Sequence, residues 1–482
     1  MTSAPAPNAS GRRALLGAAL STGLLHRPVQ AQPNAAAGGR QPHLLRAVHR
    51  IIEVRRRPAD VFGLIDAGGR PGLTLESDER FRVQVDNETR EPTIIHWHGQ
   101  TPPFWQDGTP DMPLPVLPPG TRRDFDFVPR PGTHWMHSHL APQEMALMAA
   151  PLVVRTIEDA RADRQEVVVL LHDFSFRPFA ELMAGLRATA AAHGGHAVHG
   201  APAVTAGTVA DLNDIEFDAY LANDRTLDDP QVTRVERGGR VLLRLINGAG
   251  ATVFFVDLGG VPGHLLAVDG EQVRMRVEHR LGIAMGQRLD IELDIPREGG
   301  AFPIFFQREG ALERTGIILA TPGARVGRLA DHASARAGAF GLELERRLTA
   351  AHPLEPKPAR VRRDLALTGQ MSPYAWGMDG RSWQDRQPLQ IELDDRVEIT
   401  FVNRGPMAHP MHLHGHRFQV VALGGPRFAG ALRDTLHVPP GASATVAFDA
   451  DNPGAWMLHC HHMPHLATGM ATELRYLGTR GG

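Results

Sequence analysis

The strongest constraint on this chain is a unit that occurs twice. Ile95-His96-Trp97-His98-Gly99 returns as Met411-His412-Leu413-His414-Gly415, 316 positions later. Pro118-Pro119-Gly120, Pro131-Gly132 and His137-Ser138-His139 return, in that order, as Pro439-Pro440-Gly441, Pro453-Gly454 and His459-Cys460-His461. The offset is 321 at the first of these anchors and 322 at the other two. Two ordered matches, each carrying paired histidines, make the early and late parts of the chain copies of one structural unit. The stretch 165–325 between them has a similar density of strand-like runs but no His-X-His pair.

The unit is built from strands. Beyond residue 40, short β-prone runs at 80–87, 166–174, 240–247, 288–295, 390–403 and 445–448 are cut by turns, as 50 Gly and 38 Pro require. Runs of this length and spacing predict sandwiches or barrels. Residues 179–192 read as a short helix, and the Ala/Arg-rich 330–351 as a linker with helical character. A length of 482 residues is enough for about three domains. The chain has 51 Lys and Arg against 53 Asp and Glu, so it lacks the basic surface that nucleic acid demands.

Four segments hold His-X-His: His96/His98, His137/His139, His412/His414 and His459/His461. Residues i and i+2 of a strand share a face, so each pair presents two imidazoles to one point. Eight imidazoles exceed one ordinary mononuclear site and imply several metal ions. Between His459 and His461, Cys460 must face the other way. His409 stands an odd number of residues from His412 and His414 and can also point away from them. His465 and Met470 follow Cys460 at five and ten residues, a loop spacing that returns to its far side. A thiolate, two imidazoles and a weak axial thioether make a type 1 (blue) copper site. Ser138 occupies the matching position in the first copy, and a hydroxyl does not replace a thiolate. With a single Cys in the chain, no intramolecular disulfide competes for it.

Through these motifs residues 75–475 resemble the three-domain multicopper oxidases, the group of laccases, cuprous oxidases and copper-resistance proteins. The resemblance implies an all-β fold of three consecutive cupredoxin-like Greek-key β-sandwich domains, with a trinuclear copper cluster between the first and third. It implies four coppers per chain. Type 2 copper falls to His96 and His412. The type 3 pair falls to His98, His137, His139, His414, His459 and His461, and type 1 to His409, Cys460, His465 and Met470. The implied reaction is one-electron oxidation of a small organic or metal-ion reductant at type 1 copper, with electrons passing through Cys460. It is coupled to four-electron reduction of O₂ to water at the cluster. Asp107, eleven residues after His96, matches an acid the family places near the cluster as a proton relay; an Asp-Gly turn is its other reading. A second acid that many bacterial relatives carry just after the type 1 histidine is Leu466 here.

The expected organisation is an export signal at 1–31, domains at 41–160 and 161–325, a linker at 326–360 and a third domain at 361–482. The signal reading rests on Arg12-Arg13, the apolar run 14–25 and the small-residue site Val29-Gln30-Ala31, a twin-arginine pattern. It implies an exported protein, periplasmic or extracellular, and no other segment is apolar enough to span a membrane. Laccase-like oxidation of phenols or aromatic amines is the leading expectation. A periplasmic Cu(I) or metal-ion oxidase is the alternative, and its Met-rich signature is weak: only Met371, Met378, Met407 and Met411 gather loosely. A copper-free structural envelope protein is a third reading, against which the intact motifs speak. His193, His196 and His199 read as a solvated loop. His416, His437 and His462 read as groups behind the ligands or on the surface, and His134, which stands where the copy has Trp456, as packing.

Overall fold

The computed structural model describes residues 41–193, 212–277 and 280–478. The export signal with Arg12 and Arg13, and His196 and His199, lie outside the described residues; His193 ends the helix Phe179–His193. The described chain is all-β, its six larger sheets paired into three consecutive sandwiches of the cupredoxin kind, beside one two-stranded ribbon of Thr109–Pro110 and Pro113–Leu114.

The first sandwich sets the sheet Arg57–Asp66, His43–Val54, Phe81–Asn87, Arg122–Phe127 against the sheet Leu73–Leu75, Ala149–Val154, Gly132–Ser138, Ile95–His98. Strict alternation produces the packing. Phe81, Val83, Val85 and Asn87 point inward while the residues between them stay partly exposed. The third sandwich repeats the plan. Its sheet Leu389–Ile391, Ala471–Tyr476, Ala455–Cys460, His409–Leu413, Thr435–Val438 carries the histidines. Strands from Gln165–Phe174 to Arg314–Ala320 form the sandwich between.

All three sandwiches share one corner, which shows that the repeat is threefold. Asn87, Asn247 and Asn403 end equivalent central strands and are buried. The Nδ2 of each donates to two backbone carbonyls, at 2.8 to 2.9 Å, and its Oδ1 accepts a backbone N–H two residues on, at 2.9 to 3.0 Å. The carbonyl of each accepts from Gly120, Gly286 or Gly441, all at positive φ.

Two expectations need correction. The predicted strand 390–403 is two strands, Leu389–Ile391 and Arg396–Asn403, belonging to opposite sheets. Asp394 turns the chain between them at φ +66°, and the Asp395 carboxylate accepts from Glu392 N at 2.9 Å. The stretch 330–351 is helical only over Glu343–Arg347. Helix propensity loses there to packing, because Phe340, Leu344 and Leu348 enter the middle core while backbone bonds pin Ala333, Ala337 and Ala350. The helix Phe179–His193 has the opposite allegiance: Leu182, Met183 and Leu186 belong to the core of the third sandwich. Among the described residues no helix is long and apolar enough to cross a membrane.

Candidate metal centre

Strand register assembles the imidazoles. His96 lies directly opposite His137 on the neighbouring strand, and His412 opposite His459. Opposed residues share a face about 5 Å apart. The two hairpin faces then meet, with the His96 ring stacked on His414 at 3.9 Å and His98 on His412 at 3.8 Å. Seven of the eight imidazoles are at most 1% exposed, His139 being the partly exposed one. Their nitrogens gather into three sets whose members lie within 4.8 Å of one another: His96, His98, His412; His98, His137, His461; and His139, His414, His459. The glycine ending each first pair is fixed by space. A Cβ on Gly415, at φ +66°, would stand 2.3 Å from the Trp456 ring, and one on Gly99 would stand 2.4 Å from Arg288.

Six of the eight rings are oriented from behind. Nδ1–H donates to a backbone carbonyl from His96 (Asp107, 3.0 Å), His412 (Asp434, 2.9 Å) and His459 (Cys460, 2.9 Å). It donates to a carboxylate from His414 (Asp107 Oδ2, 2.8 Å) and His137 (Glu144 Oε2, 2.8 Å). His98 is reversed, its Nε2 held by Asp434 Oδ1 at 3.1 Å and its Nδ1 left bare toward the cluster. A neutral imidazole that spends its proton backwards shows a lone pair forwards. The forward nitrogens nevertheless stand 3.0 Å apart between His414 and His459, 3.3 Å between His139 and His414, and 3.4 Å between His96 and His412. Protonation does not relieve the clash. Burial, reinforced by the neighbouring imidazoles, pushes His98, His139, His412 and His414 well below the usual histidine range, and His459 and His461 to about 3. Converging lone pairs that refuse protons fit metal cations.

A separate donor set lies on the other side of the same strand. Cys460 Sγ is 3.7 Å from His409 Nδ1 and 3.6 Å from His465 Nδ1, and those two nitrogens are 3.1 Å apart. All three residues are fully buried. Burial pushes the Cys460 thiol up, so the thiolate needs a cation beside it. Met470 is fully buried in the same apolar cluster, its backbone bonded to Cys460 and His465. Trp376 covers the His465 ring at 4.1 Å and His462 stacks on it at 3.8 Å.

The first copy fills this position without a thiol or an imidazole. Displaced by the repeat offsets, His409, Cys460, His465 and Met470 become Thr93, Ser138, Gln143 and Met148. Gln143 Oε1 accepts from Thr93 Oγ1 at 2.7 Å and from Ser138 Oγ at 2.8 Å. A closed hydrogen-bonded plug stands where the third copy has a thiol and two imidazoles.

Asp107 is buried between the two copies, its Oδ2 on His414 and its Oδ1 3.4 Å from His96 Nδ1. Glu144, which the sequence did not flag, backs His137 and comes within 3.9 Å of His461. Burial raises it to about 7 against the pull of His461 and His96. Asp434 was also missed. Burial alone would raise its carboxyl, but the Arg288 guanidinium, in direct contact, holds it below the usual range. The charged Arg433-Asp434 pair inside the apolar run 431–438 was the available signal. His134, His416, His437 and His462 are interior. His416 bonds to the His414 carbonyl and to Tyr476, His437 packs on Phe340, and His134 is enclosed with its Nε2 3.2 Å from Pro131 O. A surface role for His416, His437 or His462 is therefore wrong, since each is at most 3% exposed.

Comparison with known proteins agrees. Family models described as multicopper oxidase match residues 59–159, 189–321 and 356–477, between them well over half of the chain. The multicopper oxidase MmcO of Mycobacterium tuberculosis is 29% identical, over 97% of this chain and 96% of its own. A copper resistance protein A homolog of Pseudomonas syringae pv. tomato is 25% identical, over 94% of this chain and 96% of its own. The crystal structure of Fet3p, a multicopper oxidase that functions in iron import, shares the fold with a TM-score of 0.74, covering 90% of each chain at 16% identity. Copper is the metal such a family implies for the imidazole and thiol sets, and the chain belongs to the multicopper oxidases, oxidoreductases that use O₂ and a reductant.

Proposed function

We propose that this enzyme takes single electrons from a small reductant at a type 1 copper and delivers four of them to O₂, forming water, at a trinuclear cluster. His409, Cys460 and His465, with Met470 as the axial thioether, hold the type 1 ion. His96 and His412 hold type 2 copper. His98, His137 and His461 hold one type 3 ion and His139, His414 and His459 the other, four coppers in all. Bound there, copper supplies reversible one-electron chemistry and the reduction of O₂. The protein's own contribution is to fix six of the eight imidazoles by a rear hydrogen bond. It also keeps the cluster dry and carries protons on Asp107, whose carboxylate touches the ring partners of both copies. Glu144 is placed to do the same for His137 and His461, replacing the acid absent at Leu466.

One observation carries the reading. Cys460 joins the His409 and His465 set while its chain neighbours His459 and His461 join the imidazole sets. A path of a few covalent bonds therefore links the point where electrons enter to the point where they are used. Metal analysis of the copper-loaded protein is expected to give four ions per chain and a band toward the red end of the visible. Cys460→Ser is expected to abolish that colour and to retain cluster copper; a variant that stayed blue would refute the assignment. The organisation we adopt is domains at 41–160, 161–325 and 361–482 with a linker at 326–360, exported through the twin-arginine signal at 1–31.

Phenols or aromatic amines are the reductants of this reading. A Cu(I) oxidase is the second reading, favoured by the relatives named as copper resistance protein A. Against it, Met378, Met407 and Met411 are spent in the core of the third sandwich. Turnover of a phenol and of Cu(I), each with and without excess copper, separates the two.

A further inference from the structure

His465 is enclosed, so the reductant meets the protein at what surrounds it. A cavity of about 460 Å³ opens beside this histidine, lined by Arg187, Tyr374, Trp383, Gln384, Met457 and Leu466 among others. Leu466 follows His465 in the chain, and the Tyr374 ring lies 6.3 Å from the His465 ring. A molecule seated against Tyr374 and Leu466 is thus one side chain from the histidine.

The charge of this cavity is one-sided. Among the described residues no carboxylate lines it, and Arg187 is its one charged group. Arg187 is exposed on the helix Phe179–His193 and makes no ion pair among the described residues. The carboxylates nearby stand outside the lining and each has a partner. Asp214 is buried behind Tyr374, whose hydroxyl it accepts, and Glu473 takes Arg386 at 3.1 Å. Asp385 accepts from Ser382 Oγ at 3.1 Å. The Arg386 guanidinium itself lies 3.6 Å over the Trp383 ring. A cation such as Cu(I) or Fe(II) meets like charge here, a single thioether, that of Met457, and no carboxylate, whereas an aromatic anion finds both a flat apolar wall and a counter-charge.

We propose that this cavity receives anionic aromatic reductants, phenols bearing a carboxylate, with the carboxylate on Arg187 and the ring against Tyr374, Trp383 and Leu466. The proposal deepens the oxidase reading and rests on it for turnover. Each phenol gives up one electron to the type 1 site and its hydroxyl proton to water, leaving a phenoxyl radical. Four such oxidations and four protons balance one O₂ reduced to two waters.

The test compares 4-hydroxy-3,5-dimethoxybenzoate with the neutral 2,6-dimethoxyphenol. The ratio of their kcat/KM values is expected to fall about two- to fivefold in Arg187→Ala, the worth of one solvent-exposed charge pair, and further in Arg187→Glu. Raising the salt to about 0.5 M, which shortens the screening length, is expected to shrink the difference between wild type and variants. A second arm needs no copper: saturation-transfer NMR on the copper-free protein with 3,5-dimethoxybenzoate, which has no phenol to oxidise. Its signal is expected to weaken in both variants, and more in Arg187→Glu. A kcat/KM ratio unmoved by both substitutions, or a wild-type protein that gives the benzoate no transfer, overturns the proposal. A protein that bound the benzoate but never turned blue would instead overturn the copper reading and leave the cavity assignment standing.

Discussion

Arg288→Gln tests how the middle sandwich, which contributes none of the eight imidazoles, holds the centre in shape. The Arg288 guanidinium is 0% exposed and sits where the three sandwiches meet. It donates to the Thr133 carbonyl at 3.1 Å in the first, to the Gly286 carbonyl at 2.8 Å in its own, and to Asp434 Oδ1 at 2.7 Å in the third. That same Oδ1 holds His98 Nε2, so Arg288 acts on a proposed ligand through a carboxylate. Glutamine keeps some polarity but strands a buried anion, a change worth about 3–5 kcal/mol. With a urea dependence of about 1–3 kcal/mol per molar, the unfolding midpoint of the copper-free protein is expected to drop by roughly 1–5 M. Tryptophan fluorescence follows the transition, and Arg46→Gln, on the exposed pair with Glu88, serves as a control with little expected effect. The double variant Arg288→Gln/Asp434→Asn is expected to recover part of the loss, because the stranded charge is gone. A single variant that unfolds at the control's midpoint would refute the argument that this pair fastens the three sandwiches together.

Asp107→Asn removes the carboxylate shared by His96 and His414, and O₂ uptake is expected to fall about 10²-fold or more. Anaerobic bleaching of the blue colour by excess reductant should proceed at the wild-type rate, and an equal slowing of both would sink the proton-relay role. Glu309 offers a pH test away from the metal sites: burial raises its carboxyl from 4.5 to about 7, with Phe340 N–H its opposing contact. The folded chain keeps this proton to near pH 7 while the unfolded chain releases it near 4.5. Stability should therefore fall as pH rises through that window, by about 3 kcal/mol, and stay lower above it. Glu309→Gln should flatten the decline, seen as urea midpoints at pH 5 and pH 8. In a Cys460→Ser background, Ser138→Cys alone should give no blue colour. Thr93→His, Ser138→Cys and Gln143→His together should restore it, as visible absorbance on copper addition shows.

What the sequence made legible was short-range. The alternation of side chains along one strand is enough to turn Cys460 away from His459 and His461, as the structure has them, and the two copies announce themselves by their histidines. The middle copy stayed hidden because its likeness to the others lies in the Asn247 and Gly286 corner, two common residues far apart in the chain. Arg288 and Asp434 are 146 positions apart, and nothing local to either marks it as the other's partner. Glu144 sits on a five-residue helix that exists only because its neighbours pack it. The strap around Phe340 misled for the same reason, since its alanines favour a helix and its aromatic ring has a place to go.

The plug formed by Thr93, Gln143 and Ser138 has a consequence for how the molecule matures. Its early sandwich is self-sufficient at that corner, satisfied by its own hydroxyls and amide from the moment it closes. The late sandwich has at the matching place two imidazoles and a thiol packed within 3.1 to 3.7 Å of one another, a set that suits an ion better than a closed ring of hydrogen bonds. The two copies are thus unequal partners, one corner sealed by its own side chains and the other shaped for something brought to it.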